Sequence, residues 1–117
     1  MDPAADTPVV IVTGGRQPLL RRAVHGVAPP LWLAGPDPGL GAAVGRPDAE
    51  VLDVDPAAGF AAAAGRALDH ARARGHDAVL LLNDDAALLA GARERLVDAV
   101  ARPGVGAAGA VVLDEDG

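Results

Sequence analysis

Short apolar runs alternate with amphipathic stretches along this chain, in the order expected for repeated strand–helix units. Five runs predict strands: residues 9–12, 31–33, 51–54, 78–82 and 110–113. The apolar residues of 78–82 are continuous rather than alternating, which is typical of a strand buried on both faces of a parallel sheet. The pattern therefore predicts an α/β fold, with a three-layer, mostly parallel, Rossmann-like sheet and right-handed crossovers.

Helices are predicted between the strands from apolar residues at helical spacing. The first begins near Pro18 and ends before Pro29, the longest covers residues 59–74, and a third covers residues 89–101. The first helix is expected to face the core with Leu20, Ala23, Val24 and Val27. The longest helix is expected to do so with Phe60, Ala64, Ala67, Leu68 and Ala71. The third helix is expected to do so with Leu89, Leu96, Val97 and Val100. The Gly- and Pro-rich residues 35–47 predict a loop with one helical turn near residues 40–44.

The length of 117 residues suits one domain with a real core and is too short for two ordinary domains. We expect residues 1–8 to form a flexible terminus and residues 9–117 a single domain. Residues 1–8 lack the apolar core of a signal peptide, and no apolar run approaches the ~20 residues that span a bilayer. A cytoplasmic protein without a transmembrane segment is therefore expected.

Composition excludes several classes of chemistry. The net charge of −6 argues against a nucleic-acid partner, and the arginines, Arg93 and Arg95 among them, are expected on solvated helix faces. The chain has no cysteine, so it has no disulfide framework and no thiol nucleophile. It also has no serine, which excludes a Ser-His-Asp triad. One Phe, one Trp and no Tyr leave Ala, Val and Leu to fill the core.

The clearest candidate chemistry follows the strand at 78–82, where the chain turns to Asn83, Asp84 and Asp85. Ligands of open α/β sheets lie beyond the carboxyl ends of such strands. Adjacent carboxylates repel unless a cation compensates them, and their oxygens suit Mg²⁺ or Mn²⁺. The alternative is that Asp84 or Asp85 caps the next helix. Asp53 has the same two interpretations: it lines the same cleft, or it solvates a loop.

A second candidate is the turn after the first strand, where Thr13, Gly14 and Gly15 suggest a dinucleotide-binding loop. The fingerprint of that loop needs further glycines, but Pro18 and two leucines follow instead. These bulky residues would obstruct the approach of a pyrophosphate to the helix start. A Rossmann-like nucleotide binder is therefore kept only as an alternative.

Taken together, residues 59–117 resemble the family 2 glycosyltransferases, particularly the rhamnosyltransferase-like members. The resemblance lies in the order of features: a Gly-Phe helix start, an apolar strand ending in the D-x-D-like Asn83-Asp84-Asp85, a helix with Leu-Val near its centre, a P-G-V-G turn, and a strand leading to D-x-D-G. Residues 9–24 resemble the opening strand and helix of the family more loosely. The resemblance favours a ligand-binding role over capping for Asn83–Asp85.

The resemblance implies the N-terminal half of a GT-A fold, with a nucleotide diphosphate sugar as donor and Mg²⁺ or Mn²⁺ bridging its diphosphate. In this reading Asp85 is the metal ligand, Asn83 faces the sugar nucleotide and Asp84 supports it. Thr13, with Gly15 beyond it, opens the nucleotide pocket. A divalent ion there would neutralise charge building on the leaving nucleoside diphosphate.

This sequence also departs from the family pattern. The family's T-Y-N reads Thr13-Gly14-Gly15, and Ala34 stands where an Asp would hold the base, so Asp37 or Asp53 would have to substitute. No residue is assigned as the general base, which the acceptor half normally supplies. The alternatives are therefore a donor half, a degenerate relative, or a non-catalytic remnant acting as an interaction module. We also expect self-association, or a partner that supplies the acceptor half.

Overall fold

The computed structural model describes residues 3–15 and 18–109, which form a parallel sheet flanked by helices. The four strands are β1 (Val9–Val12), β2 (Leu31–Gly35), β3 (Glu50–Asp53) and β4 (Leu80–Asn83). The α-helices are α1 (Pro3–Asp6), α2 (Pro18–Val24), α3 (Leu40–Ala43), α4 (Phe60–Ala73) and α5 (Ala92–Val100), with one 3₁₀ turn at Pro56–Ala58. The predicted strand at residues 110–113 lies outside the described residues.

The strands are ordered β3-β2-β1-β4 and every pairing is parallel. This arrangement confirms the α/β, Rossmann-like fold class predicted from the sequence. The chain runs outward from β1 through β2 to β3, then crosses to the other side of β1 to form β4. That reversal creates a topological switch point between the carboxyl ends of β1 and β4.

Side chains of the buried strands alternate between two apolar layers, one on each face of the sheet. One layer joins Val9, Ile11, Leu31 and Leu33 to helices α2 and α3, and Leu96 of α5 packs against it. The other layer joins Val10, Trp32, Ala34 and Leu52 to Ala67 and Ala71 of α4. The apolar residues predicted to face inward, Leu20, Ala23, Val24 and Val27, are all buried. The helix is shorter than predicted, because α2 ends at Val24 and Val27 lies beyond it. Helices on both faces give the expected three layers.

The strand expected at residues 78–82 is shifted and less covered than predicted. It covers Leu80–Asn83 and pairs with β1 on one side only among the described residues. Leu80 is buried, whereas Leu81 is 38 % exposed. A strand at the end of the described sheet is buried only where a helix packs against it. The prediction from the continuous apolar run, that both faces of this strand are buried, was therefore not correct.

Two helices also differ from their predicted inner faces. In α4 the buried residues are Ala63, Ala67 and Ala71, while Phe60 and Leu68 are about half exposed. In the third predicted helix, Leu89 lies before the start of α5 and is 67 % exposed. Small alanines let α4 lie close to the sheet, so its larger side chains are directed away from the contact. Hydrophobicity alone did not distinguish these two faces.

Residues 3–8, which precede β1, contact helix α5. Residues 3–6 form α1, and both Thr7 and Pro8 are buried. Arg93 of α5 donates to the Thr7 carbonyl at 2.7 Å and to the Ala28 carbonyl at 2.6 Å. Arg93 is only 9 % exposed, so its predicted place on a solvated helix face is wrong. It connects α5 to two distant chain segments.

The helices of residues 3–15 and 18–109 are short. None of them is both long and apolar enough to cross a membrane.

Candidate functional site

The carboxyl ends of the four parallel strands bring the polar residues singled out in the sequence to one edge of the sheet. Val12 is in register with Ala34 on one side and with Asn83 on the other. Thr13 follows Val12 and Asp84 follows Asn83, so these two residues face each other across the switch point. Open α/β sheets bind their ligands at this position.

Thr13 links the two sides of the switch point. Its hydroxyl oxygen lies 2.8 Å from Asp84 Oδ2 and 2.8 Å from the carbonyl oxygen of Gly15. A hydroxyl has a single proton, and the carboxylate is the stronger acceptor, so the bond to Asp84 is the favoured donation. Thr13 is buried, 5 % exposed, which protects this bond from water. The bond holds the β4 turn against the end of β1.

The close approach of β2 to Thr13 depends on Gly35. A Cβ at Gly35 would lie 3.1 Å from Thr13 Cγ2 and 3.2 Å from the Thr13 carbonyl oxygen. It would also lie 3.2 Å from Leu40 Cδ2. Thr13 is therefore placed by two neighbours at once, the Asp84 carboxylate on β4 and the glycine backbone of β2.

The turn at Gly14 and Gly15 after β1 supports the position of the Thr13 side chain and does not form an open anion-binding loop. Gly15 adopts a φ of 140° and its N–H donates to Thr13 Oγ1 at 3.2 Å. The amide that a phosphate would need is thus directed at the Thr13 side chain. This contact argues against the dinucleotide-loop alternative, and it leaves Gly15 in the role of shaping the turn.

Asp84 and Asp85, although adjacent, have different surroundings. Asp84 is half-buried and bonded to Thr13, whereas Asp85 is exposed. The two residues belong to a turn in which Ala86 N–H donates to the Asn83 carbonyl at 3.2 Å. The next helix starts only at Ala92, and its N-cap residue is Gly91, which makes no side-chain cap. The capping interpretation of Asp84 and Asp85 is therefore wrong.

Asp37 and Asp53 lie along the same edge, further from the switch point. Asp37 accepts a hydrogen bond from the Gly39 N–H at 2.8 Å, which stabilises the loop after β2. Asp53 ends β3 and is exposed. β3 and β4 are separated by three strand spacings of about 4.8 Å, so Asp53 lies roughly 14 Å from Asn83. Only a ligand of extended shape can contact both ends of this edge.

A metal ion at the switch point would need ligands beyond those grouped among the described residues. Within residues 3–15 and 18–109, no three His, Cys, Asp or Glu side chains are grouped closely enough to hold one. Mg²⁺ is commonly held by one or two carboxylates together with waters and the phosphates of a substrate. In a site of that kind a single exposed carboxylate, such as that of Asp85, could contribute one ligand while a bound phosphate and waters supply the others.

Sequence reasoning missed an ion-pair cluster at the opposite, amino end of the sheet. Glu50 at the start of β3 receives two hydrogen bonds from Arg74, at 2.8 and 2.9 Å, and lies 2.8 Å from His70 Nε2. The rings of His70 and His76 contact Trp32 edge-on, at centroid distances of 4.8 and 5.6 Å. These contacts join α4 to β2 and β3. No local sequence signal indicates them, because the partners are 20 or more residues apart.

The bond between Thr13 and Asp84 has a measurable stability effect. We expect Thr13→Val to lower the free energy of unfolding by about 1 kcal/mol, because it removes a hydrogen bond to a carboxylate without changing the side-chain shape. A double-mutant cycle with Asp84→Ala should return a coupling of about 1 kcal/mol. The same cycle with the neighbouring Asp85→Ala is the control, and coupling there of equal size would contradict the assignment.

Comparison of the chain with family models, with curated proteins and with solved structures finds no significant match.

Proposed function

We propose that this chain is a family 2 glycosyltransferase-like protein that binds a nucleotide diphosphate sugar at the carboxyl edge of its sheet. The observation that carries the proposal is the switch point between β1 and β4. There the partly buried bond from Thr13 to Asp84 positions a turn that presents Asn83 and the exposed Asp85. The sequence resemblance supplies the family, and the sheet order of the described strands is compatible with the first half of a GT-A fold.

Each residue of the switch point has a distinct part in this proposal. Thr13 and Asp84 are positioning residues, because they are hydrogen-bonded to each other. Asp85 is the metal ligand, and the amide of Asn83 offers a donor and an acceptor to the sugar nucleotide. A divalent ion bound there would offset the charge that develops on the departing nucleoside diphosphate. The cytoplasmic location inferred from the sequence belongs to the same proposal.

The acidic edge explains why a metal would be required. Asp37, Asp53, Asp84 and Asp85 all lie at the carboxyl ends of the strands, and the chain carries a net charge of −6. A diphosphate brought to this edge alone would meet only repulsion from these side chains. A divalent cation between Asp85 and the phosphates reverses that interaction, so ion and nucleotide should bind together.

Calorimetry tests this coupling directly. Titration of Mn²⁺ alone should give weak heats, since Asp85 is the one exposed carboxylate that the described residues offer at the switch point. Mn²⁺ with a uridine or thymidine diphosphate sugar should give saturable binding. Asp85→Ala should weaken the joint binding by about tenfold or more, equal to ~1.4 kcal/mol. Asp77→Ala, which removes an exposed carboxylate at the far end of β4, is the matched control. Binding that ignores Asp85 would count against the proposal.

A non-catalytic binding module is the second candidate. It is favoured by the hydrogen bonds that Thr13 makes with Asp84 and Gly15, because they satisfy polar groups within the chain that a donor would otherwise contact. The two candidates differ in turnover. Release of nucleoside diphosphate from the donor sugar by the purified chain, lost in Asp85→Ala, would exclude the module, and metal binding without turnover would favour it.

A further inference from the structure

Phe60 presents an aromatic ring to solvent at the start of α4. The chain has one Phe, one Trp and no Tyr. Trp32 is 3 % exposed and belongs to the apolar layer under α4, whereas Phe60 is 52 % exposed. Aromatic side chains carry a large apolar area, so a ligand that covers the ring of Phe60 would be favoured by its removal from water.

The exposure of Phe60 follows from its position along α4. His70, ten residues later on this helix, bonds to Glu50 at the amino end of β3. Ten helical residues extend over about 15 Å, whereas the strand from Glu50 to Asp53 extends over about 10 Å. Because α4 packs on β1 and β2, its first turn reaches up to about 5 Å past the carboxyl ends of the strands. Side chains of a helix tilt toward its N-terminus, which carries the ring further past that edge.

Phe60 also lies over the same face of the sheet as the side chain of Asn83. It precedes Ala67 by seven residues, close to two helical turns, so both are on one side of α4. Ala67 belongs to the apolar layer against which Val12 packs. Val12 is in register with Asn83, and paired residues of parallel strands are directed to the same face. Asn83 is exposed. An aromatic ring and an amide thus flank one side of the carboxyl edge.

This pair of side chains suits a flat, uncharged ring with polar atoms at its rim. An aromatic ring stacks on the face of such a group, and an amide offers one donor and one acceptor set to its edge. A base without charge also avoids the repulsion that a diphosphate would meet from the acidic side chains here. Asp85 follows Asn83 by two residues, so a base at Asn83 and a diphosphate at Asp85 would occupy neighbouring positions along the edge.

We propose that Phe60 stacks on the base of the bound nucleotide while Asn83 hydrogen-bonds the polar edge of that base. This inference rests on the proposed function, because it places a further part of the same donor. It makes Phe60 a binding residue that selects for a planar base and takes no part in the metal site. Base–aromatic stacking depends little on which base is present, so Phe60 should contribute to affinity for any nucleotide with a planar base.

Two nucleotides that differ in the planarity of the base test the proposal. Uridine diphosphate and 5,6-dihydrouridine diphosphate share the polar edge of the base, but the second has a puckered, non-aromatic ring. In calorimetry with Mn²⁺, we expect the wild-type chain to bind the dihydro compound about tenfold more weakly. Phe60→Ala should bind uridine diphosphate about tenfold more weakly and lose the difference between the two ligands. Phe60→Tyr, which keeps an aromatic ring, should retain that difference.

Leu68→Ala is the matched control, because Leu68 is on the same helix with a similar exposure of 47 % and lies two turns from the edge. It should bind both nucleotides within about twofold of wild type. Equal binding of the two nucleotides by the wild-type chain, or equal weakening of both by Phe60→Ala, overturns the stacking role and leaves the metal site at Asp85 standing. An equal loss of uridine diphosphate binding in Leu68→Ala overturns it as well. Binding of neither nucleotide by the wild-type chain overturns this proposal together with the proposed function.

Discussion

Replacing Arg93 with methionine is expected to lower the free energy of unfolding by about 3 kcal/mol. Its guanidinium donates to the carbonyls of Ala28 and Thr7 at 2.6 and 2.7 Å, in a position only 9 % exposed. Methionine keeps most of the side-chain volume but leaves both carbonyls without this donor. Hydrogen bonds from charged groups are worth more than neutral ones, so the loss should be well above that of a surface substitution.

Urea denaturation followed by fluorescence of Trp32 measures this loss, because Trp32 is the single tryptophan and is buried. Arg95→Met is the matched control on the same helix, where the arginine is exposed, and it should change stability by less than about 0.5 kcal/mol. Arg93→Lys should give an intermediate loss, because one compact ammonium does not reproduce the planar fork of donors. Equal stability of the two methionine variants would contradict the structural role of Arg93.

Replacing Gly35 with alanine is expected to cost about 2 kcal/mol. The new Cβ would lie 3.1 Å from Thr13 Cγ2 and 3.2 Å from the Thr13 carbonyl oxygen, both tighter than ordinary contact distances. Because Thr13 is also held by Asp84, relief of this crowding should displace the switch-point turn. Stability and the proposed donor binding should therefore decrease together in this variant.

Gly65→Ala is the control for Gly35→Ala, and it is expected to change the free energy of unfolding in the opposite direction. Gly65 lies inside α4, and a Cβ there would meet nothing within 4 Å. Alanine is the better helix former, so this substitution should raise the free energy of unfolding by about 0.5–1 kcal/mol. Thermal and urea denaturation of both variants test the pair. Destabilisation of similar size by both would show that crowding against Thr13 is not the cause.

The predicted elements that were confirmed are those whose signals are local. The β-branched run of β1 has the bounds expected from its pattern, Val9–Val12, and the inner stripe of α2 is buried as its spacing predicted. The helical turn expected near residues 40–44 is found as α3, Leu40–Ala43. Periodicity and glycine or proline boundaries act over a few residues, which is why they can be read directly from the chain.

The predictions that were wrong concern residues whose burial depends on contacts with distant segments of the chain. Leu81 and Leu89 are exposed although both are leucines in apolar runs, because burial depends on what lies opposite them in the fold. Arg93 is buried although arginine is usually at the surface, because two carbonyls from elsewhere in the chain accept its protons. Neither outcome has a local sequence signal.

By itself, the sequence determined the class of fold and the edge at which its polar residues gather, because parallel strands place their carboxyl ends together. Only the tertiary structure decided that Asp84 is engaged by Thr13 while the adjacent Asp85 remains exposed. These two carboxylates are adjacent in the chain, but only Asp84 is hydrogen-bonded to Thr13, which lies 71 positions away in the sequence. Contacts across that separation depend on strand order and register, which arise only when the chain is folded.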